Sequence, residues 1–139
     1  MFKATRAIYD ALKTRDNLKV FTEENERSSE VWLQFTVDNG SPYRIKFIST
    51  DDDNDVAVRV FALIQVKEEK KPQVINVLNE LNAKFRYAKF CCDSDGDVNI
   101  EYDYPVSASN PSESAHEILI RFVKIIDEAY PSLMRALWM

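Results

Sequence analysis

Apolar residues recur along this chain with two periods, and a change of period marks a change of element. Ala4, Ala7, Ile8, Ala11 and Leu12 fall at helical spacing, with Lys3, Arg6, Asp10 and Lys13 outward, which predicts a first helix over about Phe2 to Arg15. Asp16-Asn17 ends it, a short strand from Leu18 to Thr22 follows, and the charged stretch Glu23 to Glu30 reads as a loop. From Val31 the period becomes two: Val31, Leu33, Phe35 and Val37 share one face of a strand. Asn39-Gly40 accepts the positive φ angles of a tight hairpin turn. Beyond it, Tyr43, Ile45 and Phe47 alternate with Arg44 and Lys46. The acidic run Asp51 to Asp55 makes the next turn, and Val56, Val58, Val60, Ala62, Ile64 and Val66 mark one face of a long strand. Turns this short predict an antiparallel meander.

In the second half, Glu68 and Glu69 suit a helix N-terminus, and Pro72 is tolerated only in a first turn. The helix Pro72 to Phe85 buries Val74, Val77, Leu78, Leu81 and Phe85. A strand from Tyr87 to Cys92, an acidic turn Asp93-Ser94-Asp95-Gly96-Asp97 and a strand from Val98 to Tyr104 form a hairpin. After a loop to Pro111, Ser112 caps a last helix with Ile118, Leu119, Phe122, Ile125, Ile126 and Ala129 as its stripe. Pro131 is expected to break or kink it, leaving a short helical piece from Ser132 to Met139.

The order α-β-β-β-β-α-β-β-α lacks the alternation of a parallel sheet and predicts an α+β fold, an antiparallel sheet with helices packed on it. A length of 139 residues predicts one domain, residues 1–139. A net charge of -5 with no basic stripe argues against nucleic acid as partner, and no apolar run is long enough to span a bilayer. The first residues open an amphipathic pattern rather than a signal peptide's apolar block, so a cytoplasmic location is expected. Two glycines leave no Gly-rich phosphate loop, and no cofactor is expected.

Leu78-Asn79-Glu80-Leu81-Asn82, Phe90, Asp95-Gly96-Asp97-Val98 and the closing Asp127, Tyr130-Pro131, Leu133-Met134 and Trp138 carry a resemblance to a family. Val66 and Glu68-Glu69-Lys70 add to it. In this order they resemble the YbjN-domain family, whose fold looks like that of the type III secretion chaperones. The resemblance implies a bare single-domain bacterial regulator of sensory transduction with no established enzymatic activity. Its chaperone-like fold implies binding of protein segments and often a homodimer.

The residue types with candidate chemistry have plain structural readings beside them. Counted from Asp93, the twelfth position of a calcium loop would be Tyr104, and the flanks are strands, so the turn reads as a hairpin turn. His116, the only histidine, has no metal or triad partner in the pattern. Cys91 and Cys92 are adjacent, point to opposite faces of a strand and read as reduced thiols. Asn79 and Asn82 lie on neighbouring helical turns, as structural hydrogen-bonding groups or as polar contacts to a ligand.

The strands' second face is the best functional clue. Trp32, Ile48, Phe61 and Leu63 lie there among Gln34, Arg59 and Gln65, and a face meeting only water would be more polar. A cover from the chain's own helices is the first expectation, and a dimer or partner contact the second. Trp138 and Met139 are candidates to supply that cover or to extend the patch. The function expected is a non-catalytic, chaperone-like or regulatory module that binds protein through Trp32, Ile48, Phe61 and Leu63. The rivals are a small-ligand sensor, and a metal-dependent enzyme built from the acidic turns Asp51 to Asp55 and Asp93 to Asp97.

Overall fold

Among the described residues of the computed structural model, six strands and three α-helices follow the order α-β-β-β-β-α-β-β-α, with a 3-10 turn over Glu68–Lys70 leading into the second helix. The structure describes residues 1–15, 18–38, 40–50, 54–106 and 111–139. Helix α1 covers Lys3–Lys13, α2 Lys71–Lys84 and α3 Pro111–Trp138. The strands are β1 Phe21–Glu24, β2 Ser28–Thr36, β3 Pro42–Thr50, β4 Asp55–Gln65, β5 Lys89–Cys92 and β6 Asp97–Pro105. They form one antiparallel open sheet in the order β1-β2-β3-β4-β6-β5, with the second hairpin added beside the meander.

All three helices lie on one side of this sheet. Alternation sends Val31 and Leu33 of β2, Ile45 and Phe47 of β3, Val56 and Val58 of β4, and Val98 and Ile100 of β6 to that side, where all are buried. They meet Ile8 and Leu12 of α1, Val74 of α2, and Phe122, Ile126 and Leu133 of α3. Each such side chain contributes roughly 1.5–3 kcal/mol by leaving water. A buried hydroxyl cluster pins α1 to the meander. Thr5 Oγ1 donates to the Phe2 carbonyl at 3.1 Å, accepts from Ser49 at 3.1 Å and sits 2.5 Å from Ser29 Oγ.

Four expectations are corrected. The stretch Glu23 to Glu30 is no simple loop, because β1 runs from Phe21 to Glu24 and β2 already begins at Ser28. Asn25 Oδ1 makes the turn between them by accepting from the N–H groups of Arg27 and Ser28, both at 2.9 Å. Pro131 does not break the last helix: α3 is continuous for 28 residues with the proline inside it. The missing N–H costs about 3 kcal/mol, but Ile126, Ala129 and Leu133 are buried on both sides of it and hold the rod together. Ser112 is therefore a residue within α3 and not its cap. The turn run Asp51–Asp53 and Asn39 of the predicted hairpin turn lie outside the described residues.

The fourth correction concerns β4. Between Val60 and Ile64 it carries three residues, where β6 has only Asn99 between Ile100 and Val98. The surplus forms a bulge centred on Ala62, whose φ of 52° is in the left-handed region. Strict alternation fails there: Ala62 is exposed, and Leu63 and Ile64 both turn into the core. Leu63 thus leaves the face it was expected to share with Phe61.

Candidate functional site

Among the described residues nothing covers the side of the sheet opposite the helices, and its residues are set by register. One row crosses all six strands: Phe21, Trp32, Lys46, Arg59, Glu101 and Lys89. A second row places Glu23, Glu30, Ile48, Ala57 and Asp103 side by side. Phe61, the first residue of the bulged segment, borders Gln34, Arg44 and Lys46 on this face and is 53% exposed.

The two halves of this face differ in chemistry. On β1 to β3, Phe21 stacks on Trp32 with ring centroids 4.3 Å apart, and the Arg44 guanidinium lies 4.0 Å from the indole centroid. Lys46 Nζ is 5.8 Å from the Phe61 ring and 3.1 Å from Glu30 Oε1. On β4 and β6, Arg59 pairs with Asp103 at 2.5 Å and with Glu101 at 3.8 Å. Partly exposed pairs of this kind contribute at most about 1 kcal/mol each, so they shape the surface more than they stabilise it. The aromatic half keeps its rings accessible, with cations already placed over two of them.

Of the residues expected to bind a partner, Trp32, Ile48 and Phe61 lie together on this face, with Trp32 and Ile48 half-buried. Leu63 does not join them. Phe21, Arg44 and Lys46 belong to the same surface but were not singled out. Phe21 was hidden because its strand was expected to end at Thr22, without a pairing to Trp32. None of the three helices supplies the expected cover. Trp138 and Met139, each 80% exposed, stand at the far end of α3, where Trp138 borders a recess with Gln65, Lys67 and Lys70.

The two asparagines part company. Asn79 is exposed on α2. Asn82 reaches the adjacent strand, where its Oδ1 accepts from the Phe90 N–H at 2.7 Å and its Nδ2 donates to the Phe90 carbonyl at 2.9 Å.

The acidic turn is organised around Asp93. Its Oδ1 accepts from the N–H groups of Asp95 and Asp97 at 2.9 and 3.0 Å, and its Oδ2 accepts from Asn99 Nδ2 at 3.1 Å. The hydrogen bond from Asp97 above all, then that from Asn99, holds the Asp93 carboxyl below its ordinary range. Asn99 Oδ1 in turn accepts from the Ala62 N–H at 2.8 Å, so one network ties the turn to the β4 bulge. Gly96, at φ 86°, packs against Val66; a Cβ there would meet the Val66 carbonyl oxygen at 2.5 Å.

Asp55 and this turn sit at opposite ends of β4: Asp55 is opposite Pro105, and Gln65 is opposite Asp97. At about 3.3 Å per residue, the two ends are roughly 30 Å apart. Asp55, the described acid of the first run, therefore does not share a cleft with Asp93 to Asp97, and no group of three or more potential metal ligands gathers among the described residues. Cys91 faces the open side, 3.7 Å from Glu101 Oε2, and Cys92 the helix side. Burial raises both thiol pKa values, Cys91 further through the Glu101 charge, which disfavours the reactive thiolate. His116 is half-buried on α3.

Among the described residues, no helix is long and apolar enough to cross a membrane. A search of curated proteins and of solved structures finds no match. One family model does match, YbjN, described as a putative bacterial sensory transduction regulator, over residues 30–135. That span runs from β2 into α3 and includes the uncovered face of β2, β3, β4 and β6, the Leu78–Asn82 motif and Tyr130-Pro131. This chain belongs to the YbjN family.

Proposed function

We propose that this chain is a cytoplasmic regulatory module that acts by binding protein, without a catalytic step of its own. A partner segment lays apolar side chains against Trp32, Ile48 and Phe61, and Arg44 and Lys46 orient acidic or carbonyl groups beside them. The observation that carries this reading is a sheet face that holds Phe21, Trp32 and Phe61 yet has no helix over it. A wholly solvated face would be more polar, and accessible aromatic patches mark contact sites. A chaperone-like mode of action fits the same surface.

A small-ligand sensor would need an enclosed chamber with converging polar groups. The space between helices and sheet is instead filled by Phe47, Phe122, Ile45 and Ile126, all without exposed surface.

The test is a pull-down comparing the unaltered chain with Trp32→Asp, Phe61→Asp and Ile75→Asp. Ile75 is exposed on α2, away from the sheet face, and serves as the control. The reading expects a specific protein that is lost with Trp32→Asp and Phe61→Asp but retained with Ile75→Asp, all three remaining folded by circular dichroism. Equal retention by all three variants would refute it.

A further inference from the structure

We propose that two copies of this chain join edge to edge through β1, antiparallel and centred on Phe21, so that their open faces form one twelve-stranded surface. The proposal goes beyond the partner-binding reading, and either stands if the other fails.

The two sheet edges are not equivalent. Asp93 N–H bonds to the Asp97 carbonyl at 2.9 Å, and alternation from there turns the Phe90 N–H and carbonyl outward, where Asn82 takes both. At the other edge, Asn25 N–H bonds to the Ser28 carbonyl at 2.9 Å. Counting back along the register, Glu23 and Phe21 turn their backbone groups toward β2, while Thr22 and Glu24 turn theirs outward. Among the described residues none occupies those outward groups. An edge of this kind recruits a further strand.

The chemistry of β1 selects a copy of itself. An outward-turned residue must face another outward-turned residue, so a two-fold axis passes through a residue and not between two. An axis at Glu23 would oppose like charges. One at Thr22 would set Phe21 against the partner's Glu23, and one at Val20 would set Lys19 against the partner's Phe21. An axis at Phe21 sets Phe21 against the partner's Phe21, Lys19 against the partner's Glu23, and Thr22 against the partner's Val20. Lys19 lines a groove with Leu18, Phe21 and residues 32–35, and Glu23 stands beside Glu30; with residues 18–20 extended, alternation puts Lys19 on the face of Phe21 and Glu23, and the ion pairs form there. The Phe21 pair takes the close, non-hydrogen-bonded position. Each Phe21 is already stacked on its own Trp32, which gives a row of four rings across the axis. The pairing needs residues 18–20, which precede β1, to continue the strand.

Sedimentation equilibrium of the full chain over a wide concentration range tests this. We expect a dimer. Lys19→Glu or Glu23→Lys alone turns both symmetric ion pairs repulsive and raises the dimer Kd about tenfold. The double variant Lys19→Glu/Glu23→Lys restores it. In a Cys91→Ser/Cys92→Ser background, Phe21→Cys forms an interchain disulfide on mild oxidation. Thr22→Cys does not, because residue 22 and its copy lie beyond the roughly 7 Å limit for a disulfide. A chain that stays monomeric throughout overturns the proposal and makes Glu23 and Glu24 guards of the edge. So does a dimer whose affinity the double variant does not restore, or one that crosslinks as readily at 22 as at 21.

Discussion

The carboxamide of Asn82 gives Phe90 the two hydrogen bonds that a neighbouring strand would otherwise make, at 2.7 and 2.9 Å. A helix side chain thus finishes the β5 edge, at a point where strand alternation turns both backbone groups of Phe90 away from β6. Asn82→Ala leaves a partly buried donor and acceptor without partners. We expect a loss of about 1–3 kcal/mol in urea unfolding, with faster hydrogen exchange at the Phe90 amide. Asn82→Asp keeps only the bond from the N–H and opposes the Phe90 carbonyl with a carboxylate, so it should be no better than the alanine variant. An unchanged midpoint and unchanged exchange would show that the edge is held by α2 packing alone.

Asp93 predicts an acid sensitivity of the turn. Its folded pKa lies below the unfolded value of about 3.9, so its carboxylate stabilises the fold above that value. The contribution is lost as pH falls through the folded value. Thermal unfolding followed from neutral pH to below pH 3 should therefore show a steeper acid decline for the unaltered chain than for Asp93→Ala, which starts lower and declines less. Parallel curves would contradict the role assigned to Asp93 in holding Asp95, Asp97 and Asn99.

Pro131 is exposed inside α3 and supplies no N–H. Pro131→Ala should stabilise the chain by about 1–3 kcal/mol, because alanine restores a helical donor and removes the clash with the preceding turn. Chemical unfolding measures it. A neutral or destabilising result would mean that the proline shape is needed where α3 passes over the core.

Much of the architecture was legible because one-sided burial writes a simple code. The meander residues Val31 to Val37, Tyr43 to Phe47 and Val56 to Val60 alternate with neighbours of which Gln34, Thr36, Arg44, Lys46 and Arg59 are polar or charged, and that pattern locates strands and their faces. What was not legible came from interactions between distant segments. β1 is an edge strand whose four residues are all exposed, so it carries no alternation to read. The Leu63 inversion depends on Asn99 capturing the Ala62 N–H across the hairpin. The continuity of α3 through Pro131 depends on burial at Ala129 and Leu133, which outweighs a local preference. The candidate surface was read through Trp32, Ile48 and Phe61 by parity alone. Phe21 and Arg44 entered it only with the register of β1, β2 and β3.

The central claim is that the uncovered sheet face is where this protein meets its partner. Its most direct test is site-specific photo-crosslinking in living cells, with p-benzoylphenylalanine placed in turn at Phe61, Ile75 and Ile120, all of which are exposed. The account predicts a discrete protein adduct at position 61, abolished by Trp32→Asp, and none at 75 or 120. Adducts at the helix positions with none at 61 would contradict it.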